Sequence, residues 1–190
     1  MIMKRIFIVL IVLFSVISVM AQEHLSFKGI PIEGSISEFG RKLKAKGMTL
    51  SEKGEDYWAF SGDFIGRKAT VLVATADGKN VFKVGAFFEP SEEWNTLVGT
   101  YNYCKDLYTR KYGQPVAFRE MNPSLSDSNI ALMQEVYQGT VVYFSAWEVT
   151  GGTIELSIEK SSGFYEGVVR IIYHDAQNEE DKMQEDLNDI

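Results

Sequence analysis

The raw material for catalysis is scarce in this sequence. Its one cysteine, Cys104, cannot form an internal disulfide, so the fold must rest on an apolar core. It has two histidines, His24 and His174. A Ser-His-Asp triad needs an imidazole held between a carboxylate and a hydroxyl, and no Gly-X-Ser-X-Gly elbow exists to present a serine. His174 alternates with Ile172 and Arg170 as a strand residue would, and His24 lies close to the start of the mature chain. Cys-X-X-Cys, His-Glu-X-X-His and calcium-loop spacings are missing, so no metal site is expected. Gly151-Gly152 has neither the spacing nor the lysine of a phosphate-cradling loop. There is no basic excess either. With 19 Lys and Arg against 26 Asp and Glu, the net charge of −7 argues against a nucleic-acid binder. Asn122-Pro123-Ser124 is blocked as a glycosylation acceptor by its proline.

What is present is an ordinary globular composition, 45% apolar, 13% aromatic and 24% charged, behind an address label. Lys4 and Arg5 precede an apolar run, and Val19 and Ala21 fit the pattern that a signal peptidase reads. The run from Ile6 to Ala21 is 16 residues, shorter than the roughly 20 that span a bilayer. Cleavage after Ala21 leaves Gln22 as the new terminus and 169 residues of net charge −9. Cys104 is far from that point, which argues against a lipid-anchored form. An exported chain with a single cysteine suits a bacterial envelope or exterior better than a eukaryotic secretory route. The expected organisation is a leader over 1–21, one α+β domain over 22–174 and an acidic flexible tail over 175–190. That tail holds seven acids and one lysine, with Met183, Leu187 and Ile190 at helical spacing.

Two helices have marked ends. Ser35-Ile36-Ser37-Glu38 is a capping box, followed by an apolar stripe of Ile36, Phe39 and Leu43 and a stop at Gly47. Pro90-Ser91-Glu92-Glu93 opens the second, which Gly113 and Pro115 close. Its buried stripe is expected to hold Trp94, Leu97, Val98, Tyr101, Cys104, Tyr108 and Tyr112. Cys104 therefore reads as a small buried hydrophobe and not a nucleophile. Tyr103 and Leu107 project from the opposite side. Strand-like alternation runs over 57–64, 68–76 and 81–89, with a hairpin turn at Asp77-Gly78-Lys79-Asn80. After the second helix come a short strand over 116–120, a loop, a helix over 130–138 and strands over 141–149, 153–160 and 167–174.

Helices grouped with antiparallel strands predict an α+β layered fold, an antiparallel sheet packed by helices. Its two halves, 30–89 and 90–174, echo each other without a residue-level repeat. This arrangement resembles the tandem helix-plus-sheet modules of the β-lactamase inhibitor proteins and the helix-then-meander layout of small outer-membrane assembly lipoproteins. The phrases KLKAKG and KYGQP resemble those of small exported bacterial proteins. The resemblance is of arrangement and implies no activity.

Ser157-Ile158-Glu159-Lys160 matches Ser-X-X-Lys, but residues three apart on a strand point to opposite sides, so the match is accidental. Nothing selects a pair of carboxylates facing each other across a cleft. Aromatics are in surplus and occupy both sides of the strands: Tyr143, Ser145, Trp147 and Val149 oppose Val142, Phe144 and Ala146, and Phe87 opposes Phe88. These strands either pack on both faces or carry a recognition surface. The reading is an exported, non-enzymatic binding protein with no cofactor, touching a membrane only through its leader. Its aromatic sheet face would include Phe87, Tyr143 and Trp147, with Tyr103 and Leu107 as a second contact. The partner would be a protein or envelope component, with stacked aromatics suiting a glycan or a peptide as well. A carboxylate- or serine-based hydrolase and an envelope-assembly subunit are the alternatives.

Overall fold

The strand-like runs on either side of the second helix hydrogen-bond into one sheet. The computed structural model describes residues 23–75 and 80–188; the expected leader with Gln22, positions 76–79 that hold most of the expected hairpin turn, and the last two residues lie outside them. Eight strands form the large sheet: β3 (Thr49–Lys53), β4 (Tyr57–Phe64), β5 (Arg67–Thr75), β6 (Val81–Phe88), β7 (Ala117–Met121), β8 (Val142–Val149), β9 (Gly152–Lys160) and β10 (Gly167–Asp175). All neighbours are antiparallel, and the order is β3-β4-β5-β6-β10-β9-β8-β7. Two four-strand meanders thus meet at their last strands, where Ile171 opposes Ala86 and Tyr173 opposes Val84. Two short strands that the sequence pattern does not announce, β1 (Ser26–Phe27) and β2 (Ile30–Pro31), form a separate hairpin.

Four helices accompany the sheet among the described residues: α1 (Ile36–Ala45), α2 (Trp94–Tyr112), α3 (Asn129–Gln138) and α4 (Ala176–Asn188). No helix there is long and apolar enough to cross a membrane. α1 starts as its capping box requires, with Ser35 Oγ accepting from the Glu38 N–H. It lies so close to the sheet that a Cβ on Gly40 would sit 2.8 Å from the Phe60 ring, so only glycine fits there. α2 buries Trp94, Leu97, Tyr101, Cys104 and Tyr108 over the β8–β10 half, while Val98 and Tyr112 are half-buried. Its first N–H is capped from a distance. Trp94 N–H donates to Asn129 Oδ1 at 2.8 Å, and Asn129 Nδ2 donates to the Glu92 carbonyl at 2.9 Å. Glu93, at the N-cap position, makes no side-chain cap hydrogen bond, and its own N–H donates to Ser91 Oγ at 3.0 Å.

The core fills the face under α1, α2 and α3. It takes Phe60, Val71, Val73, Val84 and Ala86 from one meander and Trp147, Ile154, Leu156, Ile171 and Tyr173 from the other. The alternation expected along β6 slips at a register shift beside Thr75, so Val81 and Val84 are both buried. The stretch expected as a flexible tail is α4. Asp175 caps it by accepting the Asn178 N–H at 3.1 Å, and Asn178 Nδ2 donates to the Ile32 and Val81 carbonyls at 2.7 and 2.9 Å.

Candidate functional site

The residues expected to share one aromatic face do not share it. Trp147 is 1% exposed, tilted against Tyr108 with ring centroids 5.5 Å apart, and its Nε1–H donates to the Gly113 carbonyl at 3.0 Å. Tyr143 is half-buried beneath α2, edge-on to Trp94 and Tyr101 at 5.2 and 5.3 Å. Both rings belong to the covered face, which corrects the expectation of a free aromatic platform. A ring that fills the helix–sheet interface is not available to a ligand. Phe87 lies on the opposite, uncovered face, where it folds over Gly85; a Cβ there would meet the Phe87 ring at 2.8 Å. Tyr103 is exposed on α2 with the Arg67 guanidinium 5.1 Å from its ring centre. Leu107 is half-buried and lines a cleft on the covered face.

That cleft, about 1140 Å³, lies between the N-terminal hairpin and the second half of α2. Its floor and inner wall are Phe64, Leu107, Tyr108, Tyr112 and Tyr173, and its rim carries Lys28, Ile65, Lys111 and Glu148. The helix spacing Leu107, Tyr108, Lys111, Tyr112 brings these four side chains onto adjacent turns of α2. The opposite wall begins at Glu23, the second residue after the expected cleavage point.

Two turns build the mouth. Lys28-Gly29 joins β1 to β2 with φ +51° and +73°, and Ile65-Gly66 joins β4 to β5 with φ +45° and +78°. Two consecutive positive φ values in a two-residue hairpin loop are the type I′ pattern, which favours Asn-Gly. A β-branched residue at positive φ is strained, yet Ile65 holds that conformation on the cleft wall. Lys28 Nζ donates to the Asp63 carbonyl at 2.8 Å and ties one turn to the other.

The N-terminal wall is held by a buried carboxylate. Asp175 is fully buried, accepts the Leu25 N–H on Oδ2 at 2.8 Å and has His24 Nδ1 3.0 Å from Oδ1. This segment crosses the β8–β9 turn so closely that a Cβ on Gly151, at φ +86°, would collide with the Glu23 carbonyl oxygen. Leu25, Phe27, Ile30 and Ile32 are all buried, and Phe27 meets Phe64 and Tyr173 at 4.9 and 5.2 Å.

The titratable groups under the cleft are held neutral. Burial pushes the Tyr108 and Tyr173 phenols well above their ordinary range, and the two hydroxyls hydrogen-bond to each other. Burial also pushes the Cys104 thiol up to about 12, where it is no nucleophile. Tyr101, paired with Ser145 at 2.7 Å, is pushed up to about 12 chiefly by desolvation. Among the described residues no group of three or more His, Cys, Asp or Glu side chains is placed to hold a metal ion. The sequence pattern marked Leu107 but missed the rest of the site, because the hairpin wall and the strained turns carry no motif.

A further aromatic group lies at the far end of the molecule. Tyr137 stacks on Tyr165 at 5.0 Å, with Phe164 exposed beside them and Lys160 Nζ 5.1 Å from the Tyr137 ring centre. No family model, curated protein or solved structure matches this chain.

Proposed function

We propose that this chain is an exported, non-enzymatic binding protein of the bacterial envelope or exterior, and that its ligand lies in the cleft between the N-terminal hairpin and α2. The observation that carries the reading is Ile65, a β-branched residue at φ +45° on the wall of an aromatic-floored cleft. Backbone strain of this kind costs on the order of 1–3 kcal/mol and clusters where function requires it. An aromatic, half-apolar concavity with a few polar groups at the rim is the usual form of a ligand site. Binding is favoured over catalysis because the phenols and the thiol beneath the floor are held neutral and idle by burial. Export is supported by the basic start, the apolar run and the Val19/Ala21 pattern of the leader.

The test uses a neutral solvatochromic dye, Nile red, with the purified protein. The dye should brighten on binding, and Leu107→Arg, or Thr150→Trp on the β8–β9 turn at the cleft's edge, should abolish the signal while the far-ultraviolet dichroism of the folded chain is retained. A signal that survives both substitutions rejects the cleft as the site. Mass spectrometry of the chain recovered from an exporting bacterial host should give a terminus at Gln22; an intact leader on a cytoplasmic product rejects export.

A further inference from the structure

The charges around the cleft are sorted by position. Where the N-terminal segment crosses the β8–β9 turn, Glu23, Glu33 and Glu148 present carboxylates, and none pairs with a lysine or arginine among the described residues. Glu33 has only the His24 imidazole nearby, with Nε2 3.9 Å from Oε2. The two lysines of the lining are already engaged: Lys28 Nζ donates to the Asp63 carbonyl at 2.8 Å, and Lys111 Nζ sits 4.7 Å from the centre of the Tyr112 ring. The site therefore already holds ammonium groups against its own polar and aromatic groups, and electron-rich ring faces attract cations. Neither lysine has a carboxylate partner among the described residues, so the lining sets three glutamates against two lysines and is net negative.

The size of the cleft narrows the occupant. At about 1140 Å³ it lies at the upper end of the roughly 300–1,000 Å³ usual for ligand sites, room enough for a short length of chain. From the reading of the cleft as the ligand site, on which this step rests, we infer that it takes a short peptide segment carrying lysine or arginine beside aromatic or aliphatic residues. The cations meet Glu23, Glu33 and Glu148, and the apolar side chains lie on Phe64, Leu107 and Tyr112. The net charge of −9 on residues 22–190 steers a cationic partner toward the protein.

Three blocked peptides test this by calorimetry at low ionic strength: Lys-Phe-Lys-Leu-Lys, Gln-Phe-Gln-Leu-Gln and Glu-Phe-Glu-Leu-Glu. The basic peptide should bind at least about tenfold more tightly than the other two, and added salt should erode that preference. Glu23→Gln combined with Glu33→Gln and Glu148→Gln should bring the basic peptide's affinity down to that of the neutral one. Equal binding of basic and neutral peptides, abolished by Leu107→Arg, overturns the charge assignment and leaves the cleft as the site. Nile red bound in the cleft but no peptide bound overturns the peptide class alone. Basic-peptide binding that neither Leu107→Arg nor Thr150→Trp disturbs overturns this inference and the cleft reading together.

Discussion

Trp147 and Tyr103 separate two roles that an aromatic ring can play. Trp147 is sealed between the sheet and α2, with its indole N–H satisfied by Gly113, whereas Tyr103 stands in solvent under a guanidinium. Replacing a buried tryptophan by alanine removes its transfer free energy and leaves a cavity, a loss of about 3–5 kcal/mol. A surface cation–π contact contributes only about 0.5–1 kcal/mol. Trp147→Ala should therefore unfold at a much lower urea concentration than the parent, and Tyr103→Ala should shift the midpoint little. Near-equal midpoints would show that Trp147 does not hold the interface. Ile65 belongs to the same scale: its strain is local, and the tertiary structure tolerates it because Phe64 beside it is buried against Phe27 and Phe88.

At the scale of elements, the N-terminal hairpin depends on a residue some 150 positions away. Asp175 accepts from the Leu25 N–H, meets His24 and caps α4, so one carboxylate fixes both the cleft wall and the last helix. Asp175→Ala leaves those donors unmatched in a buried place, at about 1–3 kcal/mol for each stranded group. Limited proteolysis should then cut first within residues 23–33, and Asp175→Asn, which keeps one accepting oxygen, should protect that segment in part. Identical digestion of parent and both variants would remove Asp175 from this role.

This dependence also explains what could be read in advance. Ser35 with Glu38, Gly139 at φ +72° and the alternation of 57–64 act within a few residues, so their elements were legible. Two-residue strands such as β1 and β2 have too little periodicity to announce themselves, and β3, Thr-Leu-Ser-Glu-Lys, is an edge strand without a buried face. Alternation correctly grouped Tyr143 with Trp147, but period alone does not say which face a helix will cover. Grouping them with Phe87 failed for that reason, and the Asn129 cap and the Asp175 tie were invisible because both act over long sequence separations.

Across the whole molecule the sheet is balanced in strand order but not in chemistry. Tyr101, Tyr108, Tyr143, Tyr173 and Cys104 all lie where α2 meets β8–β10, and burial raises the pKa of each. A raised phenol keeps its proton in the folded chain at pH values where the unfolded chain has lost it. The associated stability is fully present below the ordinary phenol value of 10.0 and is lost as pH rises through the folded value. Each phenol that ionises only on unfolding removes about 1.4 kcal/mol per pH unit, so Tyr108 and Tyr173 together give a slope of about 3 kcal/mol per unit. Tyr101 and Cys104 act in the same direction, the thiol from its ordinary value of 9.0 upward. Against a total stability of about 5–15 kcal/mol, the protein should hold steady to about pH 9 and unfold cooperatively near pH 11–12. Urea midpoints measured across that range should fall ever more steeply, and phenolate absorbance should rise in a late step coincident with loss of the far-ultraviolet dichroism. Ionisation of all the tyrosines near pH 10 with the dichroism intact would mean that these hydroxyls face water, and that α2 does not seal the sheet.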